Sequence, residues 1–309
     1  MATVHPRALP PQKRATLAAD PALASGTIHH VLFPSDLSPA ADRAFDHARL
    51  IADAFGASAT LYHVVELKHG HDLQEPKEPE RERLRRAERA AREHLEHQAQ
   101  RLAGLGRVIV ERTSSPAEAI VAVIEAFGTD LTVMATHGRS GLAELMLGSV
   151  TAFVARHASN PVMCVREPAH GAALPYRSIL VPTDLSPASR RAFPLAALLA
   201  RRFDARVLAL HIAPRPTGVP LLGIPELVER QIPSEQALAG FLEPGFSGVQ
   251  VSARVELGSA WERIIGVARE ERTDLIVMSS HGHDSVADTL LGSHTERVAA
   301  HAPCPVIVT

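Results

Sequence analysis

Two stretches of the chain combine residues that could cradle an anion. The first runs from Met134-Ala-Thr-His-Gly138 to Gly148-Ser149-Val150-Thr151, the second from Met278-Ser-Ser-His-Gly282 to Gly292-Ser293-His294-Thr295. A glycine lets a bulky anion approach the backbone because no Cβ stands in the way. The serine after it can cap the next helix, whose first amides point outward and favour negative charge. In both copies nine residues separate the glycine after the histidine from the glycine before the serine. Neither copy has the Gly-Lys-Ser/Thr of a P-loop, and no Gly-x-Gly-x-x-Gly follows the first strand.

A second pair of motifs is acidic: Pro34-Ser35-Asp36-Leu37-Ser38-Pro39 and Pro182-Thr183-Asp184-Leu185-Ser186-Pro187. Each follows an apolar run and ends in Ser-Pro, which suits an N-cap followed by a first helical residue. An aspartate there can accept hydrogen bonds from an amine or hydroxyl; as a turn residue it could equally serve its own backbone. His63 and His211 stand near the ends of strand-like runs and are read as rim or core residues without chemistry. Cys164 and Cys304 occupy different places in the two repeats and lack metal-ligand spacing, so they read as buried thiols of a reducing cytoplasm. His69-Gly-His71 and His281-Gly-His283 have no further ligands placed beside them, and no metal site is read from them.

These motifs need strands and helices to position them, and the pattern supplies both twice. Strands are predicted over 28–33, 59–65, 108–112, 130–134 and 162–165, and again over 178–181, 206–212, 249–256, 274–278 and 306–308. Helices fall between them at 40–55, 116–127 and 150–157, and at 188–203, 260–271 and 295–301. Residues 75–101, dense in Glu and Arg, read as a solvated helix with i,i+4 pairs; their counterpart, 214–234, is broken by five prolines into a loop with a short helix. Alternating strands and helices imply right-handed crossovers and a parallel sheet covered on both faces. The 309 residues divide into a loose tail (1–24), a first domain (25–168), a linker (169–175) and a second domain (176–309). A net charge of −2 and a pI near 6.8 leave no basic field for nucleic acid or an acidic membrane, and no apolar run has the length of a span.

In an open parallel sheet, ligands lie beyond the carboxyl ends of the strands, at the switch in topology. If first and fourth strands are neighbours, the aspartate and the glycine loop face one crevice. Amides for phosphate, an acceptor and apolar strand ends for a flat base describe a nucleotide site better than a catalytic triad.

The Pro-Ser/Thr-Asp-Leu-Ser-Pro turn, the strand-end His-Val/Ile and the His-Gly-x9-Gly-Ser loop resemble the universal stress protein family, in a tandem two-domain form, over about 28–309. The resemblance implies two flavodoxin-like (Rossmann-like) three-layer α/β domains, each a five-stranded parallel sheet in order 3-2-1-4-5. In the nucleotide-binding branch it implies one ATP per domain, with Mg2+ arriving only with the phosphates. Carried over by position, Asp36 and Asp184 would take the adenine end beside Pro34, Ser35, Pro182 and Thr183. Val64 and Ile212 would line the base pocket with Phe33 and Val181, next to Met134 and Met278. Thr136, His137, Gly138, Arg139, Gly141, Gly148, Ser149, Val150 and Thr151 would hold ribose and phosphates in the first repeat. Ser280, Gly282, Gly292, Ser293, His294 and Thr295 would do so in the second.

Ala135 and Ser279 stand where the family pattern has its first glycine, and His294 replaces an apolar residue. The leading reading is therefore a cytoplasmic ATP-binding stress or signalling protein. A nucleotide-free association or chaperone-like protein and a slow ATPase stay open beside it, although no evident nucleophile or base stands at the phosphate end. The short apolar last strands, 162–165 and 306–308, predict that the halves pair as an intramolecular pseudo-dimer, which would cover two exposed edges; a homodimer of chains is also compatible.

Overall fold

The computed structural model describes residues 26–67, 78–102, 104–136, 147–166, 174–214, 233–243, 245–280 and 292–309. The predictions made for the tail, most of the linker, both His-Gly-His triplets, His137, Gly138, Arg139, Gly141 and Gly282 lie outside these residues.

In the first half, β1 (His30–Pro34), β2 (Ser58–Glu66), β3 (Gly106–Thr113), β4 (Leu131–Ala135) and β5 (Val162–Val165) alternate with α1 (Pro39–Phe55), α2 (Glu78–Ala99), α3 (Pro116–Phe127) and α4 (Ser149–His157). In the second half, β6 (Ser178–Thr183), β7 (Arg206–Ala213), β8 (Val251–Leu257), β9 (Leu275–Met278) and β10 (Val306–Val308) alternate with α5 (Ala192–Phe203), α6 (Glu235–Leu242), α7 (Ala260–Glu270) and α8 (Ser293–His301). All ten strands form one sheet in the order β3-β2-β1-β4-β5-β10-β9-β6-β7-β8. Each half is parallel and repeats the order 3-2-1-4-5; the single antiparallel joint is between β5 and β10, where Val162 faces Val308 and Cys164 faces Val306. Pairing these two apolar strands leaves neither as an open edge.

Strand alternation divides the core into two layers. Phe33, Val181, Met163 and Ile307 point to the layer of α1 and α5, whereas Leu32, Leu180, Cys164 and Val306 point to the layer of α3, α4, α7 and α8. The α1–α5 layer crosses the joint between halves. Tyr176, fully buried just before β6, stacks on His47 of α1 with ring centroids 5.9 Å apart, and its hydroxyl is hydrogen-bonded to His47 Nδ1 at 2.8 Å. Phe203 meets Tyr176 edge-on at 5.3 Å and Phe55 at 6.5 Å.

Local chemistry explains the helix ends. Ser38 Oγ accepts the Ala41 N–H at 3.2 Å with Pro39 in the first helical turn, so α1 starts as its sequence predicts. The equivalent helix in the second half departs from the prediction: a 3-10 turn, Ser189–Arg191, precedes α5. Pro194 has no N–H to donate to the carbonyl of Arg190, so the α-helical ladder cannot extend backward and i→i+3 bonds replace it, such as Arg191 N–H to Ala188 O at 3.1 Å. Helix α2 carries the expected short-range pairs, among them Arg86–Glu82 at 3.2 Å. It is not wholly solvated, because Leu84, Ala91 and Leu95 are buried and His94 and Gln98 both reach Asp42 of α1. No helix of the described residues is long and apolar enough to cross a membrane.

At the amino ends of the strands, two carboxylates tie first and fourth strands together. Asp130 Oδ2 accepts the N–H groups of His29 and His30 at 2.6 and 2.9 Å; Asp274 Oδ2 accepts those of Arg177 and Ser178 at 2.8 and 3.0 Å. Asp274 is buried. Removing it leaves two amides unpaired, so Asp274→Ala is expected to lower the unfolding free energy by about 3 kcal/mol, readable as a shifted urea midpoint.

Candidate functional site

The opposite, carboxyl ends of the first-half strands open onto a cavity of about 650 Å³. β1 delivers Pro34 and the turn Ser35–Asp36–Leu37; β2 delivers Val64; β4 delivers Met134, Ala135 and Thr136; α4 begins there with Gly148, Ser149, Val150 and Thr151. Neighbouring strands β1 and β4 thus bring the acidic turn and the helix start to one crevice.

The acidic turn is held by its own side chains. Ser35 Oγ accepts the Leu37 N–H at 3.1 Å and Asp36 Oδ1 accepts the Ser38 N–H at 3.1 Å. Between them Leu37 adopts φ 62°, and Leu185 repeats it with φ 63°. Left-handed backbone at a leucine costs about 1 kcal/mol, so the tight turn places its aspartate at the expense of local strain. His63, buried, donates from Nδ1 to the Ser35 carbonyl at 2.7 Å and braces the same turn, and His211 does so to Thr183 O at 2.9 Å.

The helix start is locked to β4. The Gly148 N–H donates to Thr136 O at 2.8 Å, and Thr151 Oγ1 donates to Ala135 O at 2.8 Å. The Gly148 amide is therefore committed to the protein. The first-turn amides of Ser149, Val150 and Thr151 have no carbonyl one turn back in the helix, and these are the donors an anion can take. Gly148 itself is the N-cap residue, with φ −57° and ψ 143°. Ser149 is the first helical residue and exposed, which corrects its expected capping role: the glycine already occupies the extended position that a cap requires.

Equivalent contacts recur in the second half. Asp184 Oδ1 accepts the Ser186 N–H at 3.0 Å, the Gly292 N–H donates to Ser280 O at 2.9 Å, and Thr295 Oγ1 donates to Ser279 O at 3.1 Å. Pro182 and Thr183 end β6, Ile212 lies near the end of β7, Met278 ends β9, and Ser293 and His294 open α8, both exposed. Thr183 Oγ1 is drawn inward to Ser189 Oγ at 2.7 Å.

Phe33 and Val181 are not brought to the site. Both are fully buried in the α1–α5 layer, where Phe33 packs on Phe45 with centroids 5.4 Å apart. Successive strand residues face opposite ways, so Pro34 at the strand end reaches the cavity while Phe33 turns from it. Conversely, sequence reasoning missed a wall. Arg83, Leu84, Ala87 and Ala90 of α2, together with Glu66, Pro116 and Ile120, also line the cavity. The spacing of 83, 87 and 90 is a helical stripe, yet its composition reads as ordinary solvated surface. Tyr62 lines the cavity floor, 1% exposed. Burial, with Glu111 nearby, pushes its phenol above the ordinary range, so it stays protonated. No cluster of three or more His, Cys, Asp or Glu suited to a metal occurs among the described residues. Cys164 is buried, its thiol pushed up to about 12.

A family model described as the universal stress protein family matches residues 27–166 and again 175–309. A universal stress protein of Mycolicibacterium smegmatis is 28% identical over 297 residues, spanning 92% of this chain and 98% of its own length. One of Methanocaldococcus jannaschii is 33% identical over 138 residues, 43% of this chain and 81% of that protein. The crystal structure of a universal stress protein from Archaeoglobus fulgidus superposes with a TM-score of 0.68 at 20% identity, covering 92% of this chain and 96% of the other. Matched by one family model in both halves and folded twice into the same parallel strand order, the chain belongs to the universal stress protein family as a tandem of two such domains.

Proposed function

We propose that the first-half cavity is an adenine-nucleotide site and that ATP is its ligand. The observation that carries this reading is the convergence of an aspartate turn, apolar strand ends and the amino end of α4 on one cavity of about 650 Å³, within the size range of small-ligand pockets. A base fits between Val64 and Met134 with Asp36 at its edge. The phosphates belong over the first-turn amides of α4, where the helix dipole favours negative charge. Magnesium would come with those phosphates. The two units, 25–168 and 176–309 joined by 169–175, would each hold one such site, and the nucleotide would act as a cytoplasmic stress or signalling input by changing stability or partner choice. Hydrolysis is not required for this role.

Two measurements test the reading. Mass spectrometry of gently purified protein should find co-purifying adenine nucleotide, and titration should show ATP binding; absence of both removes the proposal. Asp36→Ala should lower ATP affinity at the first site about tenfold, the scale of one charge-assisted hydrogen bond. Its cost to the fold should be small, since Asp36 sits in a surface turn, where it accepts the Ser38 N–H. Unchanged ATP affinity would take Asp36 out of the site.

A further inference from the structure

Tyr62 carries a hydroxyl that no described residue answers with a hydrogen bond. Its side chain is buried, it lines the cavity, and its hydroxyl makes no hydrogen bond among the described residues. The Glu111 carboxylate on β3 is near enough to act on the phenol, but it does not meet the hydroxyl at hydrogen-bond distance and angle. A buried hydroxyl without a partner is disfavoured, and such groups are rare in folded proteins.

The second half shows what the same position looks like without it. Tyr62 stands opposite Pro34 of β1 and Ile109 of β3; Leu210 stands opposite Pro182 of β6 and Arg254 of β8. An aliphatic side chain therefore fills this place where no hydroxyl is present. The next residue pair outward is Val64 with Glu111 in one half and Ile212 with Glu256 in the other. Glu256 is tied up by Arg263 at 2.9 Å and also by Arg254. The two sites thus differ in polar character at the end away from the helix start.

We propose that Tyr62 is a specificity-determining residue of the first site, donating its O–H to a ring-nitrogen acceptor of a bound purine base. The inference rests on the nucleotide reading above and adds the residue that reads the base. The neighbouring walls, Val64, Met134 and Ile120, are apolar and suit the faces of a flat ring. Asp36 only accepts hydrogen bonds when ionised, so it cannot recognise a ring nitrogen; a phenol held protonated can. Leu210 offers no such donor, so the second site lacks this selection.

The test uses the full chain and Tyr62→Phe, which keeps the ring and removes only the hydroxyl. ATP and the analogues in which N1, N3 or N7 is replaced by carbon are titrated into both proteins, and both are melted without ligand. The expected result is a Tyr62→Phe chain that melts at or above the wild-type temperature and binds ATP about tenfold more weakly, the worth of one hydrogen bond. Wild type should lose a similar factor for one analogue, and Tyr62→Phe should be indifferent to that same analogue, the signature of a coupled pair. Equal ATP binding by wild type and Tyr62→Phe, with the same analogue ranking, overturns the role of Tyr62 and leaves the nucleotide site standing. No ATP binding by wild type overturns both.

Discussion

In Gly148→Val, ATP affinity at the first site is expected to fall by at least tenfold, the largest functional effect anticipated for a single substitution. Its counterpart in the second half shows how little room the backbone leaves. A Cβ built on Gly292 would sit 3.1 Å from the Ser280 carbonyl oxygen, tighter than ordinary contact. Gly148 has the same backbone, φ −57° and ψ 143° against −57° and 138°, and makes the same amide bond to the preceding strand end. A branched side chain must therefore push the start of α4 away from Thr136 or project into the cavity that Gly148 lines. Either movement displaces the first-turn amides that would hold phosphate. Gly292→Val serves as the comparison. Because Asp284 takes the sequence position in the second repeat that Ser140 takes in the first, and a carboxylate near polyphosphate would be repulsive by about 1 kcal/mol in an exposed site, the first substitution should cost more total ATP binding. Calorimetric titration of both variants decides it. A greater loss from Gly292→Val reverses the assignment of the tighter site, and no loss from either removes the nucleotide reading.

Acid should weaken the joint between the halves through His47. Burial lowers its pKa from 6.5 to about 4, against a small opposing effect of Asp46. Above pH 6.5 the imidazole is neutral in folded and unfolded chains alike and contributes no pH dependence. As pH drops from 6.5 toward about 4, the unfolded chain takes up a proton that the folded chain refuses. Stability therefore falls across that window, by up to about 3 kcal/mol. His47→Gln supplies the control: its amide can still bond to the Tyr176 hydroxyl but does not titrate. Urea unfolding of both proteins from pH 7 to pH 4.5 should show a steeper decline in wild type. Because His30 is also lowered by burial, only the difference between the two curves reports His47; parallel curves would rule out its contribution.

The second half has no equivalent of this pair, since Leu195 and Ile28 stand at the positions related to His47 and Tyr176 by the repeat, both buried and apolar. Nothing in the pattern around His47 distinguishes it from a surface histidine on an amphipathic helix. Its burial follows from where Tyr176 of the other half is laid down, a contact separated by 129 residues.

The sequence by itself determined the repeat, the succession of strands and helices, the Ser-Pro start of α1, the strand order implied by resemblance, and the acidic turns. These are encoded locally: a period of two or 3.6 reports the element, and proline, glycine and serine report where it begins or ends. Only the tertiary structure decided which strand face meets the cavity, and so placed Pro34 and Val64 there while sending Phe33 and Val181 into the α1–α5 layer. It alone added the wall of α2, committed the Gly148 amide to Thr136, and left the Tyr62 hydroxyl without a partner among the described residues. Alternation shows that a strand has two faces without saying what lies against each; that depends on helices packed from distant parts of the chain, whose positions no local pattern carries.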